Sequence, residues 1–461
     1  MSSEVHVSST ADSTIRCEPG TREWISVVGL GKLGAPLAAC FAWRGFPTIA
    51  VDLDPIKVQA ISNNRAWEYE PGLQQLLHAT NGRLTATDDY KKAISESDVT
   101  FVVVPTPSDE TGTLSLHNMI RALTEVGVAL RTKRGFHLVV IVSTVMPGAI
   151  QRELAPVLEA QSGKKCGVEF GLCYSPEFIA LGSVIQDLLQ PDFILIGESD
   201  PRSGQILADL YRRFCENAPP VARMNFVNAE LAKLAINSYL TTKISFANLL
   251  ARLCERLPGG DVDAVTSAMG LDSRIGGKYL KGAIAFGGPC FPRDNLAFAA
   301  LARSLGASGS LPEATEAFNQ QQVFWLTEVV KTLLLGNGRV GILGLAYKPN
   351  SGVVEESAGL RLAQALLSVG IPVTAYDPAA MSEAEVLLHA EITFAASAAE
   401  CVQQSDVVIC TTPWEGFKEL TLADFVGDGQ PRTLIDCWRL LGHLRGHTQL
   451  KYVPLGINTE A

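Results

Sequence analysis

Apolar residues fall along this chain in short blocks separated by turn residues. Ile25-Ser26-Val27-Val28, with Trp24 ahead of it, runs into Gly29-Leu30-Gly31-Lys32-Leu33-Gly34. Helical spacing follows over residues 35–44, then Gly45, then a second apolar block, Thr48 to Val51, ending at Asp52. The predicted order is strand, glycine turn, helix, strand, acid. Residues 98–104, 138–142 and 193–196 read as further strands, and strands alternating with helices predict a parallel, doubly wound α/β sheet.

The pattern changes in the middle. Residues 229–257 hold no Gly or Pro and carry apolar side chains at helical spacing until Pro258-Gly259-Gly260. A helix of that length links two domains and offers a face to a second copy, although a simple core helix has the same pattern. From Arg339 the alternation returns: Val340 to Leu343 as a strand, a helix over 357–369, and a strand over 372–376 ending at Asp377-Pro378. Asp377-Pro378 echoes Asp54-Pro55, and Asp406 to Pro413 echoes Asp98 to Pro105. The chain therefore divides into a tail at 1–22, a dinucleotide-binding domain at 23–220, a helical middle at 221–325 and a second Rossmann-like domain at 326–461. Gly341 and Gly344 persist in that last domain, but Ala346 and Tyr347 follow, and no second dinucleotide is expected there.

Composition narrows the function classes. The 461 residues carry 38 basic and 48 acidic side chains, a net charge of −10, which argues against a nucleic-acid-binding protein. No apolar run reaches the length of a membrane span, and 1–22 is Ser/Thr-rich without a signal-peptide core, so a disordered tail is expected. Ten scattered cysteines without a CxxC pair suit a reduced, cytoplasmic chain with no metal site.

Five clusters carry candidate chemistry. Gly29, Gly31 and Gly34 permit a tight turn and close approach of a pyrophosphate to a helix amino end. Asp52 is placed to bind the adenosine ribose and repel a 2′-phosphate, favouring NAD over NADP. In Phe286-Gly287-Gly288-Pro289-Cys290-Phe291-Pro292-Arg293-Asp294, Pro292 predicts a helix start that favours a thiolate at Cys290, with Asp294 on the same face. Lys233 and Asn237 lie one helical turn apart. Ser175-Pro176-Glu177-Phe178 presents a carboxylate that can activate water. Arg274, Lys278 and Lys281 among glycines suit a diphosphate. Each cluster taken singly also has a structural reading: a packing turn, a buried inert thiol, a solvated lysine, a surface glutamate, a solvated loop.

Taken in order, GLGKLG, VDLDP, YEPGL, VPTP, STVMPG, SPEF, NAELAKLAIN, SRIGGKYLK, FGGPCFPRD, LGLAYKPN and YDP resemble the UDP-glucose/GDP-mannose dehydrogenase family, with YEPGL and the FGG-x-CF form nearer its UDP-glucose branch. The resemblance covers Trp24 to the final fifty residues. It implies NAD bound by Gly29, Leu30, Gly31, Lys32, Leu33, Gly34, Asp52, Lys57, Thr106 and Thr144. It implies Cys290 as nucleophile, with Lys233, Asn237 and Asp294 around the reacting carbon, and Thr144 and Glu177 handling water and protons. It further implies nucleotide-sugar contacts at Glu177, Phe178, Lys233, Asn237, Arg274, Lys281 through Phe286 and Gly287, Lys348 and Arg439. The activity implied is a four-electron oxidation of a nucleotide-diphosphate hexose, by a homodimer or higher homo-oligomer. Two positions depart from the family: Leu181 replaces a glutamate, and Glu355-Glu356-Ser357 replaces Arg-Glu-Ser, both near the NAD site of relatives. GDP-mannose or dTDP-glucose as substrate, a two-electron hydroxyacid-type dehydrogenase and a non-catalytic nucleotide-binding scaffold are the alternatives.

Overall fold

The computed structural model describes residues 6–7, 23–109, 112–388, 392–426 and 432–459. They form two compact units, Met1–Ala235 and Ile236–Ala461. Apart from His6 and Val7, the stretch expected to be a disordered tail lies outside the described residues.

The first unit is built on a nine-stranded sheet. Its strands are β1 (His6–Val7), β2 (Ile25–Val28), β3 (Thr48–Val51), β4 (Leu84–Thr87), β5 (Val99–Val102), β6 (Leu138–Ile141), β7 (Gly171–Tyr174), β8 (Ile194–Glu198) and β9 (Val221–Met224). The order is β1-β9-β8-β7-β6-β5-β2-β3-β4. Strands β4 to β7 in that series are parallel, and β2, β3, β5, β6 and β7 are buried along their whole length. Burial on both faces is why these strands read as unbroken apolar blocks rather than as alternation. Strand order reverses between β2 and β5, the place where open α/β sheets bind ligands.

The sheet is not parallel throughout. β8 runs antiparallel to β7. The connector between them holds the six-residue helix Val184–Leu189. The chain turns back after the carboxyl end of β7, through the stretch that contains Glu177.

Helix α1 (Gly34–Trp43) follows the glycine turn. The long helix α2 spans Phe226–Cys254, shifted toward the amino end of the predicted range. Asn225 explains the earlier start: its side chain accepts a hydrogen bond from the Asn228 N–H at 3.0 Å, an amino-terminal cap. α2 begins in the first unit and continues into the second. No helix among the described residues is long and apolar enough to cross a membrane.

The second unit joins helices to a six-stranded parallel sheet. Its helices include α3 (Val262–Gly270), α4 (Phe291–Ser304), α5 (Ser310–Leu333) and α6 (Ala358–Ser368). The strands are β10 (Val340–Leu343), β11 (Val373–Tyr376), β12 (Thr393–Phe394), β13 (Val407–Cys410), β14 (Arg432–Asp436) and β15 (Leu450–Pro454), in the order β12-β11-β10-β13-β14-β15. The resemblance between the two halves of the chain is real at the level of hydrogen bonds. Leu30 N–H donates to Asp52 at the end of β3, and Leu345 N–H donates to Asp377 at the end of β11.

Asp377 has a different use from Asp52, however. It is buried, and its carboxylate accepts from the Leu345, Ala346, Ala379 and Ala380 N–H groups and from the Trp414 indole, at 2.8–3.1 Å. No lone pair is left pointing at solvent for a ribose. Asp377→Ala orphans these buried donors and should cost the second unit about 3 kcal/mol or more. Denaturant unfolding followed by tryptophan fluorescence checks this. A loss under about 0.5 kcal/mol would mean that water replaces the carboxylate.

Candidate active site

The cofactor cradle lies where β2 meets α1. Gly29 has φ +95°, and a Cβ there would lie 2.1 Å from the Val103 carbonyl oxygen; one on Gly34 would lie 1.8 Å from the Gly29 oxygen. Only glycine permits both contacts. A Cβ on Gly31 would meet no protein atom within 4 Å, so that backbone is open to a ligand. α1 has no side-chain cap and no acid in its first turn, which leaves its positive end available to a diphosphate. These residues fit NAD.

Asp52 completes the cradle. One carboxylate oxygen accepts the Leu30 N–H at 2.7 Å and the other the Asp54 N–H at 2.9 Å, with the Lys57 ammonium at 3.7 Å. Both oxygens keep a lone pair for ribose hydroxyls. Lys57 thus sits beside Asp52 and over the Trp67 ring, while Lys32 pairs with Glu68 at 2.9 Å. Buried Thr106 donates to the Thr144 carbonyl at 2.7 Å, tying the loops after β5 and β6 together.

Lys233 and Glu177 meet in the first unit. Lys233 Nζ donates to the Glu177 backbone oxygen at 2.6 Å and stands 4.5 Å over the Phe178 ring, which itself packs on Phe193. Burial pushes the Glu177 carboxyl up to about 7, against the opposing effects of Lys233 and a hydrogen bond from Tyr211. A carboxyl poised near neutrality can take a proton from water and return it.

The second unit holds the thiol. Cys290 is the residue just before α4, with Pro292 in the first turn, and it is exposed. The other cysteines among the described residues are buried or half-buried. Asp294 is wholly buried, accepting from Asn237 Nδ2 at 2.6 Å and from Arg293 Nε at 2.9 Å. Burial works against the Arg293 charge, but Asp294, Cys290 and Glu355 together hold its guanidinium above the ordinary range. Consecutive turns of α2 therefore supply Lys233 to one group and Asn237 to the other.

The residues expected to meet a nucleotide sugar divide by environment. Arg274 is exposed and paired with Asp272 at 2.6 Å, a surface pair of small energetic value. Lys281 is exposed; Lys348 is half-buried. Arg439, at φ +55°, is committed to Asp263 through two 2.8 Å bonds and to the Cys437 and Leu455 carbonyls. Burial would raise the Asp263 carboxyl, but Arg439 and then Lys281 hold it below its usual value, so these two cations flank one acid. Phe286 is buried, its ring edge-on to Phe291 at 6.1 Å, and a Cβ on Gly287 would lie 2.2 Å from the Glu356 carbonyl oxygen.

The two departures from the family have structural settings. Leu181 packs against the core on one side of the first sheet. Glu355 accepts the Gly288 N–H on its carbonyl at 3.0 Å. Three positioning residues were not singled out in the sequence, although Glu70 and Glu230 lie within the YEPGL and NAELAKLAIN motifs. Glu70, in the YEPGL motif, caps the Gly182 and Val184 N–H groups at 2.8 Å, shaping the loop after Glu177. Glu230 caps the Gly148 and Ile150 N–H groups. Tyr211, which bonds Ser175 at 2.9 Å, lies behind Glu177.

Residues 23–215 match the UDP-glucose/GDP-mannose dehydrogenase family, NAD binding domain; 227–321 match its central domain and 341–443 its UDP binding domain. A UDP-glucose 6-dehydrogenase of Haloferax volcanii is 36% identical over 426 residues, covering 92% of this chain and 98% of the relative. A GDP-mannose 6-dehydrogenase of Pseudomonas putida is 35% identical, covering 77% and 80%. The solved UDP-glucose dehydrogenase of Pyrobaculum islandicum superposes with a TM-score of 0.86 at 33% identity, covering 96% of this chain and 100% of that one. With an NAD cradle, an exposed thiol and all three domain matches in sequence order, this chain belongs to the UDP-glucose/GDP-mannose dehydrogenase family.

Proposed function

We propose that this chain oxidises the C6 alcohol of a nucleotide-diphosphate hexose to a carboxylate, with UDP-glucose as substrate and UDP-glucuronate as product. The observation that carries the reading is Cys290, exposed at the amino end of α4 beside an Asp294 held by Asn237 and Arg293. Oxidation of an alcohol to an aldehyde needs no thiol; holding the aldehyde for a second oxidation does.

Bound NAD+ supplies the hydride acceptor for both oxidations. The alcohol carbon gives up a hydride and its hydroxyl a proton, leaving an aldehyde. Cys290 Sγ adds to the aldehyde carbon, and the oxygen takes a proton to give a thiohemiacetal. Loss of a second hydride and of that hydroxyl proton leaves a thioester on Cys290. Glu177 as carboxylate takes a proton from water while the water oxygen attacks the thioester carbon. The C–S bond breaks, and the thiolate returns. Lys233 and Asn237 donate to the oxyanion that develops at each addition. Arg274, Lys281, Lys348 and Arg439 supply cations for the nucleotide sugar, Arg274 and Arg439 by exchanging carboxylate partners.

Four apolar side chains on α2 are exposed at coiled-coil spacing: Tyr239, Phe246, Leu249 and Leu253. A homodimer through this face is the oligomeric state proposed. Light scattering should give twice the chain mass, and Phe246→Glu with Leu249→Glu should give a monomer; a parent monomer would refute the interface.

With limiting UDP-glucose, the enzyme should form two NADH for each sugar, with a carboxylate as product by mass. Cys290→Ser should lose acid formation while keeping NAD affinity. One NADH with an aldehyde product would favour a two-electron dehydrogenase. Binding without NADH from UDP-, GDP- or dTDP-sugars would favour a scaffold, and faster turnover of GDP-mannose or dTDP-glucose would reassign the substrate.

The pH dependence follows from Glu177. The base form is the carboxylate, and its carboxyl sits at about 7. Below that pH the residue is protonated, so thioester hydrolysis should slow about tenfold per pH unit and level off above it. Glu177→Gln should remove this limb and lower the hydrolysis rate by about 10²-fold or more. A single-turnover profile unchanged in the variant would mean that another group activates the water.

A further inference from the structure

Residues 282–286 form a buried segment with no helix or strand, leading to Cys290. Buried backbone without regular structure must find partners elsewhere. Arg252 donates to the Ala283 carbonyl at 3.2 Å, and two asparagines, both almost fully buried, provide further partners. Asn248, on α2, accepts the Ala283 N–H on Oδ1 at 2.8 Å and donates from Nδ2 to the Ile284 carbonyl at 2.8 Å. Asn319, on α5, accepts the Phe286 N–H at 2.8 Å and donates to the Phe286 carbonyl at 3.0 Å. Each side-chain amide bonds the backbone as a neighbouring strand would, with donor and acceptor in register.

The clamped segment reaches the thiol by two routes. Through the chain, Phe286 is followed by Gly287, whose Cβ position is filled by the Glu356 carbonyl, and by Gly288, whose N–H is taken by the Glu355 carbonyl at 3.0 Å. Through space, the Phe286 ring lies edge-on to Phe291, the first residue of α4. A shift of Phe286 therefore moves the amino end of the helix on which Cys290 sits.

We propose that Asn248 and Asn319 are positioning residues that preset the 283–286 backbone and thereby the place of the Cys290 thiol. Because the Phe286 N–H and carbonyl are already bonded to Asn319, Phe286 meets a nucleotide sugar through its ring and not through its peptide groups. The segment is a rigid template before substrate arrives, not a loop that orders around it. This rests on Cys290 being the nucleophile.

Asn319→Asp keeps the shape and the acceptor but sets a carboxylate oxygen against the Phe286 carbonyl, and Asn248→Asp does the same at Ile284. In the full-length enzyme, each should lower kcat for acid formation about tenfold or more, since small misplacements of a reacting group are costly. KM for NAD+ should stay near the parent value. Each should also change the rate of Cys290 alkylation by iodoacetamide, read against Cys290→Ser as the blank. Folded variants with parent kcat and parent alkylation rate overturn the proposal. Hydrogen exchange on the parent enzyme tests it independently of how the variants fold. The Ala283 and Phe286 amides should exchange slowly without ligand and gain little protection from UDP-glucose. Fast exchange that becomes slow only with UDP-glucose overturns it. If Cys290→Ser still forms acid, the nucleophile reading fails instead, while the exchange result still reports on the clamp.

Discussion

The hydrogen bond from Asn237 to Asp294 anchors the helix that has Cys290 at its amino end. Asp294 has no exposure to solvent, and an unpaired carboxylate there would cost several kcal/mol. Asn237 and Arg293 remove that penalty and in doing so tie α4 to α2. Because Cys290 is the residue before α4, this buried bond fixes the helix from whose amino end the thiol projects.

The same device recurs wherever a loop is buried near function. Asp52 holds the turn after β2, Glu70 the loop after Glu177, Glu230 the turn at Gly148, Asp377 the loop after β10, and Asn248 and Asn319 the segment before Cys290. Loops usually lie in water, which satisfies their peptide groups. Here single carboxylates and amides take several of those peptide groups in place of water. These side chains hold the turns and loops that carry the candidate site residues.

The paired sheets show how one arrangement serves two purposes. In the first unit the acid at the end of β3 keeps free lone pairs beside an open glycine turn. In the second, the acid at the end of β11 is saturated by backbone and indole donors. The topology is shared, but the number of donors aimed at the carboxylate separates an acid that can still accept from a ligand from one that is wholly structural.

The sequence by itself determined the doubly wound sheets, the long helix, the glycine turn after the first strand and the helix start that follows Cys290. These depend on local period, on glycines that nothing else can replace and on one proline that starts a helix. Strand reversal after β7 was not legible, because direction depends on where the connector lands and not on the apolar block of β8. Nor were the roles of Asn248, Asn319, Glu70 and Tyr211, which are ordinary residues until a distant loop folds against them. Leu181 shows the reverse case, in which core packing occupies a position where the family carries a glutamate. Tertiary structure decided all of these, since hydrogen bonds between residues far apart in sequence leave no periodicity in the chain that makes them.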